Sequence, residues 1–373
     1  MLDKLPFVNA TKPSTIALNA EFAQLIPGHS NVIGSQGKSY IDDFEATKTS
    51  IDIHYPINWT LASTPYDPGT NSLFPEASST TIEYGKNRAL MSWYYVDQNL
   101  NAKNPSRLTP SHLRNDTASQ SNHYTRDVNV KEVFPNKDVI VTDRNLLTIM
   151  NLSYYPTERG PYNLDTDNID SEGNLLNPEK RWGGIMRKLE TTDFETSNVE
   201  YIEFWMMDPF IYDKNNPKAG GKLYFNLGDI SEDVLKDGKK AFEHGLPIDG
   251  DLTKVETTLW GRVPKTQSTV VAFDNTQGAR AKQDVGLDGL SSDDEQLFNT
   301  YKDFIDRLKS KVSTSAWQNM LNDRFSAAND PASDNYSFFK SSDYDNEKAS
   351  ILTRYKRYSD GIVTGKQIGR AHV

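Results

Sequence analysis

The feature that most constrains this chain is how its apolar residues are spaced. They come in short runs, several alternating at period two, and Asn, Asp, Gly, Pro and Ser separate the runs. Residues 40–44 and 50–55 alternate, and residues 89–95 form a continuous apolar and aromatic run. Further runs fall at 138–141, 146–150, 184–189, 199–206 and 222–227. Period two places alternate side chains on opposite faces of a strand, and the intervening turn residues favour reversals. Loops are expected at 63–80 and 162–178, with a long polar insertion at 97–137. No run of about 18 apolar residues occurs, so no membrane-spanning helix is expected. The pattern predicts a mainly β chain, with a jelly-roll-like sandwich over 40–265.

The pattern changes near residue 291. Leu297, Tyr301, Phe304, Ile305 and Leu308 recur at helical spacing, with charges opposite. A second helix is expected over 314–325, and 329–360 reads as polar and turn-rich. The chain therefore divides into a connecting segment (1–39), the β-rich region (40–265) and a smaller helical and turn-rich segment (266–360). Residues 367–373 resemble a translated DNA-sequencing adapter, so 361–373 are read as an artefact and His372 receives no role.

Composition narrows the function. Aromatics at 11% separate this chain from disordered ones despite a mean hydropathy of −0.66. A net charge of −10 opposes binding to phosphate backbones, so no nucleic-acid partner is expected. The lack of cysteine removes disulfides, thiolate metal sites and a cysteine nucleophile.

Few motifs carry chemistry. Gly34-Ser35-Gln36-Gly37-Lys38-Ser39 lacks the earlier glycine of a phosphate loop, because Val32 stands there. It reads as an exposed turn. His29, His54, His112, His123 and His244 have no paired metal-ligand spacing, and His112 and His123 read as solvated. Asp42, Asp43, Glu45, Asp193, Glu195, Glu200 and Glu203 are carboxylates of the type glycosidases use, but by type only, and turn capping and surface charge are the reading expected for them. The most specific pattern starts at Asp284. With Asp284 as position 1, Asp288 is position 5, Gly289 position 6 and Glu295 position 12 of a calcium loop, while Gly286 replaces an expected ligand. Asp284, Asp288 and Glu295 are thus candidate Ca2+ ligands. A capping box opening a helix at Ser292-Asp293-Asp294-Glu295 is the competing reading.

Several strings, in order along the chain, resemble the SprA (Sov) family, the translocon of the type 9 secretion system. The first are Leu2-Asp3-Lys4-Leu5-Pro6-Phe7, Tyr40-Ile41-Asp42-Asp43-Phe44-Glu45 and Tyr154-Tyr155-Pro156-Thr157-Glu158-Arg159-Gly160-Pro161-Tyr162-Asn163. Next come Arg181-Trp182-Gly183-Gly184-Ile185-Met186-Arg187, Thr192-Asp193-Phe194-Glu195, Tyr201-Ile202-Glu203-Phe204-Trp205 and Asp208-Pro209-Phe210. Last are Leu223-Tyr224-Phe225-Asn226-Leu227-Gly228-Asp229-Ile230-Ser231-Glu232-Asp233-Val234, Gln283-Asp284-Val285-Gly286-Leu287-Asp288-Gly289-Leu290 and Arg354-Tyr355-Lys356-Arg357-Tyr358.

The resemblance implies an internal fragment of a very large outer-membrane β-barrel protein that serves protein export and gliding motility. It implies secreted cargo proteins and accessory translocon subunits as partners, a place in the cell outer membrane or at the cell surface, and no catalytic residues. The strand pattern also resembles carbohydrate-binding jelly rolls, so a glycan-binding module is the alternative and a glycoside hydrolase a more distant one. Trp93, Tyr94, Trp182, Phe204, Trp205 and Phe225 are expected mostly in the core, with Trp182 also a candidate partner contact.

Overall fold

The computed structural model describes residues 22–24, 50–67, 69, 72–101, 108–140, 145–191, 193–197, 199–213, 215, 220–242, 246–266, 274, 276–283 and 286–359. The chain divides into two units, Met1–Ile51 with Asp193–Tyr201, and Asp52–Thr192 with Ile202–Val373. Everything that follows concerns the second unit unless stated. The run at 40–44, the turn at 34–39 and the segment 361–373 lie outside the described residues.

Three small antiparallel sheets are present among the described residues. Strand β1 (Thr60–Leu61) pairs with β4 (Ile185–Met186). Strand β2 (Ala89–Tyr94) pairs with β3 (Asn151–Arg159), with a register shift between Ala89 and Leu90. Strands β5 (Val255–Thr257) and β6 (Arg262–Pro264) form a hairpin that tucks Trp260 into the core. The register shift in β2 lies beside Gly160, where a Cβ would sit 2.4 Å from the Ala89 carbonyl oxygen. Only glycine lets the two backbones approach this closely.

The run at 89–95 forms its expected buried strand. Residues 146–150 instead contribute a single bridge, between Leu146 and Asn129, and the strand begins at Asn151. Residues 50–55, 202–206 and 222–227 join no sheet among the described residues. A strand needs a partner ladder as well as a suitable sequence, and none is present for these runs among the described residues.

The polar insertion is more structured than its composition suggests. Its described residues form four one-turn helices, α1 (Gln98–Asn101), α2 (Ser111–Arg114), α3 (Thr117–Gln120) and α4 (Val130–Val133). Asp116 caps α3, and a reciprocal capping box between Asn129 and Glu132 closes α4. Each such cap contributes about 1 kcal/mol. Leu100 and Leu113 are fully buried and anchor the insertion. His112 also points inward, with Nε2 3.1 Å from the Ala349 carbonyl, and His123 packs against Tyr124 and Tyr212. The solvated roles expected for both histidines are corrected accordingly.

The C-terminal part is helical: α5 (Ala279–Gln283), α6 (Ser292–Glu295), α7 (Asn299–Lys311), α8 (Thr314–Asn322), α9 (Ser342–Asn346) and α10 (Ile351–Lys356). Helix α7 buries Tyr301, Phe304 and Leu308 on one face, as its period predicts. Leu297 precedes the helix and is exposed. The polar stretch after 329 conceals an aromatic layer in which Tyr355 stacks on Tyr94 at 4.3 Å and on Phe339 at 4.9 Å. Four buried arginines fasten this core. Arg88 donates to the carbonyl of Pro161 at 3.0 Å, Arg159 to that of Asn163 at 2.6 Å, and Arg354 to that of Phe339 at 2.9 Å. Arg181 donates to the Asp165 carboxylate at 3.1 Å, a pair that is almost wholly buried. Such a pair confers geometry more than net stability, since desolvation offsets most of its attraction.

Candidate metal centre

Residues 286–295 form the described part of the loop in which calcium ligands are expected. Gly286 and Gly289 adopt φ of +73° and +68°, conformations that favour glycine. The turns point the Asp288 side chain inward. Its Oδ1 accepts the Leu290 amide at 3.0 Å, and its Oδ2 accepts the Tyr301 hydroxyl from α7 at 2.6 Å. Arg262 of β6 donates its amide to the Asp288 carbonyl at 2.7 Å, tying the loop to the hairpin.

Helix α6 settles the role of Glu295. Its cap is Ser291, which accepts the Asp294 amide, rather than Ser292 as the capping box requires. Glu295 is thereby free of capping. It turns inward to 1% exposure, where Oε2 accepts the Ala332 amide at 2.8 Å. The third carboxylate comes from a segment far away in sequence. Asp334 Oδ2 accepts the Tyr162 hydroxyl at 2.8 Å, and that hydroxyl accepts the Leu287 amide at 2.8 Å. Asp330 lies behind it, accepting the amides of Asp334 at 3.3 Å and Asn335 at 3.2 Å.

Asp288, Glu295 and Asp334 each offer an oxygen within 4.8 Å of the others, and all three are buried. Burial pushes the Glu295 carboxyl well above the usual carboxylate range, and Asp334, Asp288 and Asp330 push it further. Burial, then Asp288 and Glu295, likewise hold the Tyr301 phenol far above its ordinary value. Close carboxylates removed from water cannot all stay ionised without compensation. Two compensations suit this geometry: a proton held on Glu295, or a hard divalent cation shared by the three carboxylates. Ca2+ takes six to eight oxygen ligands, so backbone or water oxygens would have to complete the shell.

Of the expected ligands, the structure brings Asp288 and Glu295 together, and Asp284 lies outside the described residues. Sequence reasoning missed Asp334, Asp330, Tyr162 and Tyr301 as members of the cluster. Tyr301 is legible only as an apolar position of α7. Asp330 and Asp334 sit in a turn-rich stretch whose signal is one pair of Asp residues four apart.

Trp93 and Tyr94 are core residues as expected, and Trp182 lies at the core edge, where its Nε1 donates to Glu76 at 2.9 Å. Phe204, Trp205 and Phe225 are exposed, which corrects their expected core placement. Their contacts are with other surface rings: Trp205 meets Phe134 edge-on at 5.8 Å, and Phe204 meets Phe225 at 5.7 Å.

The family of motility related/secretion proteins represented by the SprA N-terminal model matches residues 303–368. The match begins within α7, contains α8 to α10, Asp330 and Asp334, and runs past Tyr358 into the segment that reads as adapter-like. No curated protein matches the chain. The match falls on part of the stretch over which the ordered strings run, and it includes the Arg354–Tyr358 string that α10 carries into the core. Over residues 303–368 the chain is similar to the SprA N-terminal family of motility related/secretion proteins.

Proposed function

We propose that this region is a non-catalytic structural and conduit element of an outer-membrane protein-export translocon of the type 9 system, acting at the cell surface on secreted cargo with accessory subunits. One observation carries the reading: the family-matched segment shares its core with the earlier family strings. Arg159 lies over the Phe304 ring at 4.8 Å, the Tyr162 amide donates to the Ala332 carbonyl at 2.7 Å, and Tyr355 stacks on Tyr94. A region whose distant strings converge in this way is built for shape. The test is to excise residues 52–359 from the full-length protein in its host. The expected result is a protein that still reaches the outer membrane while cargo export and gliding fail. Normal export by the excised protein would end the reading.

The buried carboxylates favour a second statement, about stability. We read Asp288, Glu295 and Asp334 as a structural Ca2+ site that locks the 286–295 loop to the 330–335 turn. Calorimetric titration of the chain with Ca2+ tests it, and an absence of binding heat sinks it. The glycan-binding alternative draws on the exposed rings of Trp205 and Tyr212. Met206 and Met207 beside them offer a sugar no hydrogen bonds, which weighs against it.

A further inference from the structure

The first part of the polar insertion meets the 339–355 stretch through titratable contacts. Asp97 pairs with Lys340, and the Asp97 amide donates to the Tyr355 hydroxyl at 2.8 Å. Next to the fully buried Leu113 of α2, His112 Nε2 lies 3.1 Å from the Ala349 carbonyl and 3.4 Å from Arg354 Nη2. Arg354 is a fully buried cation, and its Nε also donates to the Ala349 carbonyl at 3.1 Å. The charged groups facing His112 are Arg354 on α10, Asp345 on α9, which accepts Arg354 Nη2 at 2.6 Å, and Asp116 at the start of α3. Arg114, also on α2, turns back to the Thr109 carbonyl at 2.8 Å.

A neutral imidazole nitrogen either donates or accepts. With the ring proton on Nδ1, His112 Nε2 accepts from Arg354 while Arg354 Nε serves the Ala349 carbonyl, and each of these donors meets an acceptor. A proton added at Nε2 reverses this. It gains a carbonyl that Arg354 already serves, loses the guanidinium hydrogen, and sets a second cation 3.4 Å from a fully buried one. Neither acid cancels the repulsion. Asp345 is half exposed, so water screens it, and Asp116 is engaged by Ser119 through both oxygens, at 3.0 and 2.6 Å. Imidazole is the side chain that ordinarily changes charge between about pH 5 and 8. Burial pushes the Asp97 carboxyl up, but Lys340 and Asn99 hold it more strongly down, below the ordinary value, so it stays ionised over that range. The two contacts therefore separate on the pH axis.

We propose that the His112–Arg354 contact is a proton-released latch, which holds α2 of the insertion against α9 and α10 while the imidazole is neutral and lets go as it gains a proton. The added proton is disfavoured in the closed form, so closure weakens as pH falls. This rests on neither the export role nor calcium.

The test measures amide hydrogen exchange in the whole chain at about pH 8 and about pH 5.5, as protection factors, which correct for the intrinsic rate. Protection at 111–120 should fall at least about fivefold at the lower pH, while that of β2 and β3 holds within about twofold. His112→Gln should abolish the difference, and His123→Gln, which alters the other imidazole of the insertion, should leave it in place. In the native chain, NMR of the His112 ring nitrogens should show the charge change over the same pH range as the loss, a reading that needs no variant. Unchanged protection at 111–120 overturns the proposal. So does a loss that persists in His112→Gln, a charge change at His112 with no loss, or an equal loss at every protected amide, which would be general unfolding.

Discussion

The Tyr301 hydroxyl donates to Asp288 Oδ2 at 2.6 Å in a fully buried setting. The pair joins the regular face of α7 to the irregular 286–295 loop. It explains why a phenol occupies a helical core position where a Phe would fill the same space. The phenol supplies one hydrogen bond to a carboxylate that is almost wholly buried.

If the carboxylates share a cation, its removal should destabilise the chain. At free Ca2+ about a hundredfold above Kd, the expected gain is about 2.7 kcal/mol. Melting curves with calcium and with excess chelator should separate accordingly, and Asp334→Asn should abolish the separation. Coincident curves for the native chain rule the site out.

Glu295 makes the metal-free chain sensitive to pH in a defined direction. Its folded pKa is raised, so the folded state holds an extra proton between the unfolded and folded values. Stability from this proton is fully present below the ordinary carboxylate pKa of about 4.3 and is lost as pH rises through the folded value. Urea midpoints in chelator should therefore fall with rising pH over that window, and Glu295→Gln should flatten the trend. A midpoint insensitive to this substitution contradicts the assignment.

Gly286→Ala should be costly. The φ of +73° disfavours a side chain, and the new Cβ would lie 1.8 Å from Asp334 Oδ2. We expect a loss of about 2 kcal/mol or more, read from chemical denaturation. A change below about 0.5 kcal/mol would mean the turn relaxes freely.

Arg354 tests the C-terminal core. It is fully buried and donates to the carbonyls of Ala349 at 3.1 Å and Phe339 at 2.9 Å and to Asp345 at 2.6 Å. Asp345 is half exposed, so water screens that pair, and the stranded carbonyls dominate. Arg354→Met should cost about 2–3 kcal/mol. Trp205→Ser, at an exposed position, should stay within about 0.5 kcal/mol.

Several elements are legible in local pattern alone. The run 89–95 declares a buried strand, and Tyr301, Phe304 and Leu308 declare the face of α7. Asp288 and Glu295 stand out because their loop spacing is local. The runs at 202–206 and 222–227 have strand composition yet form no ladder among the described residues, because pairing depends on a neighbour that local pattern does not reveal. Ser291 displaces Ser292 as the cap because the buried Glu295 finds its partner in Ala332, which sequence proximity cannot show.

The sequence by itself determined periodicity and local turn chemistry, since each depends on residues close together. Only the tertiary structure decided that Asp334 joins Asp288 and Glu295, that the polar insertion is anchored by Leu100 and Leu113, and that Phe204 and Trp205 stand in solvent. Those outcomes depend on contacts between residues far apart in the chain, where burial and pairing, rather than residue type, set the energy.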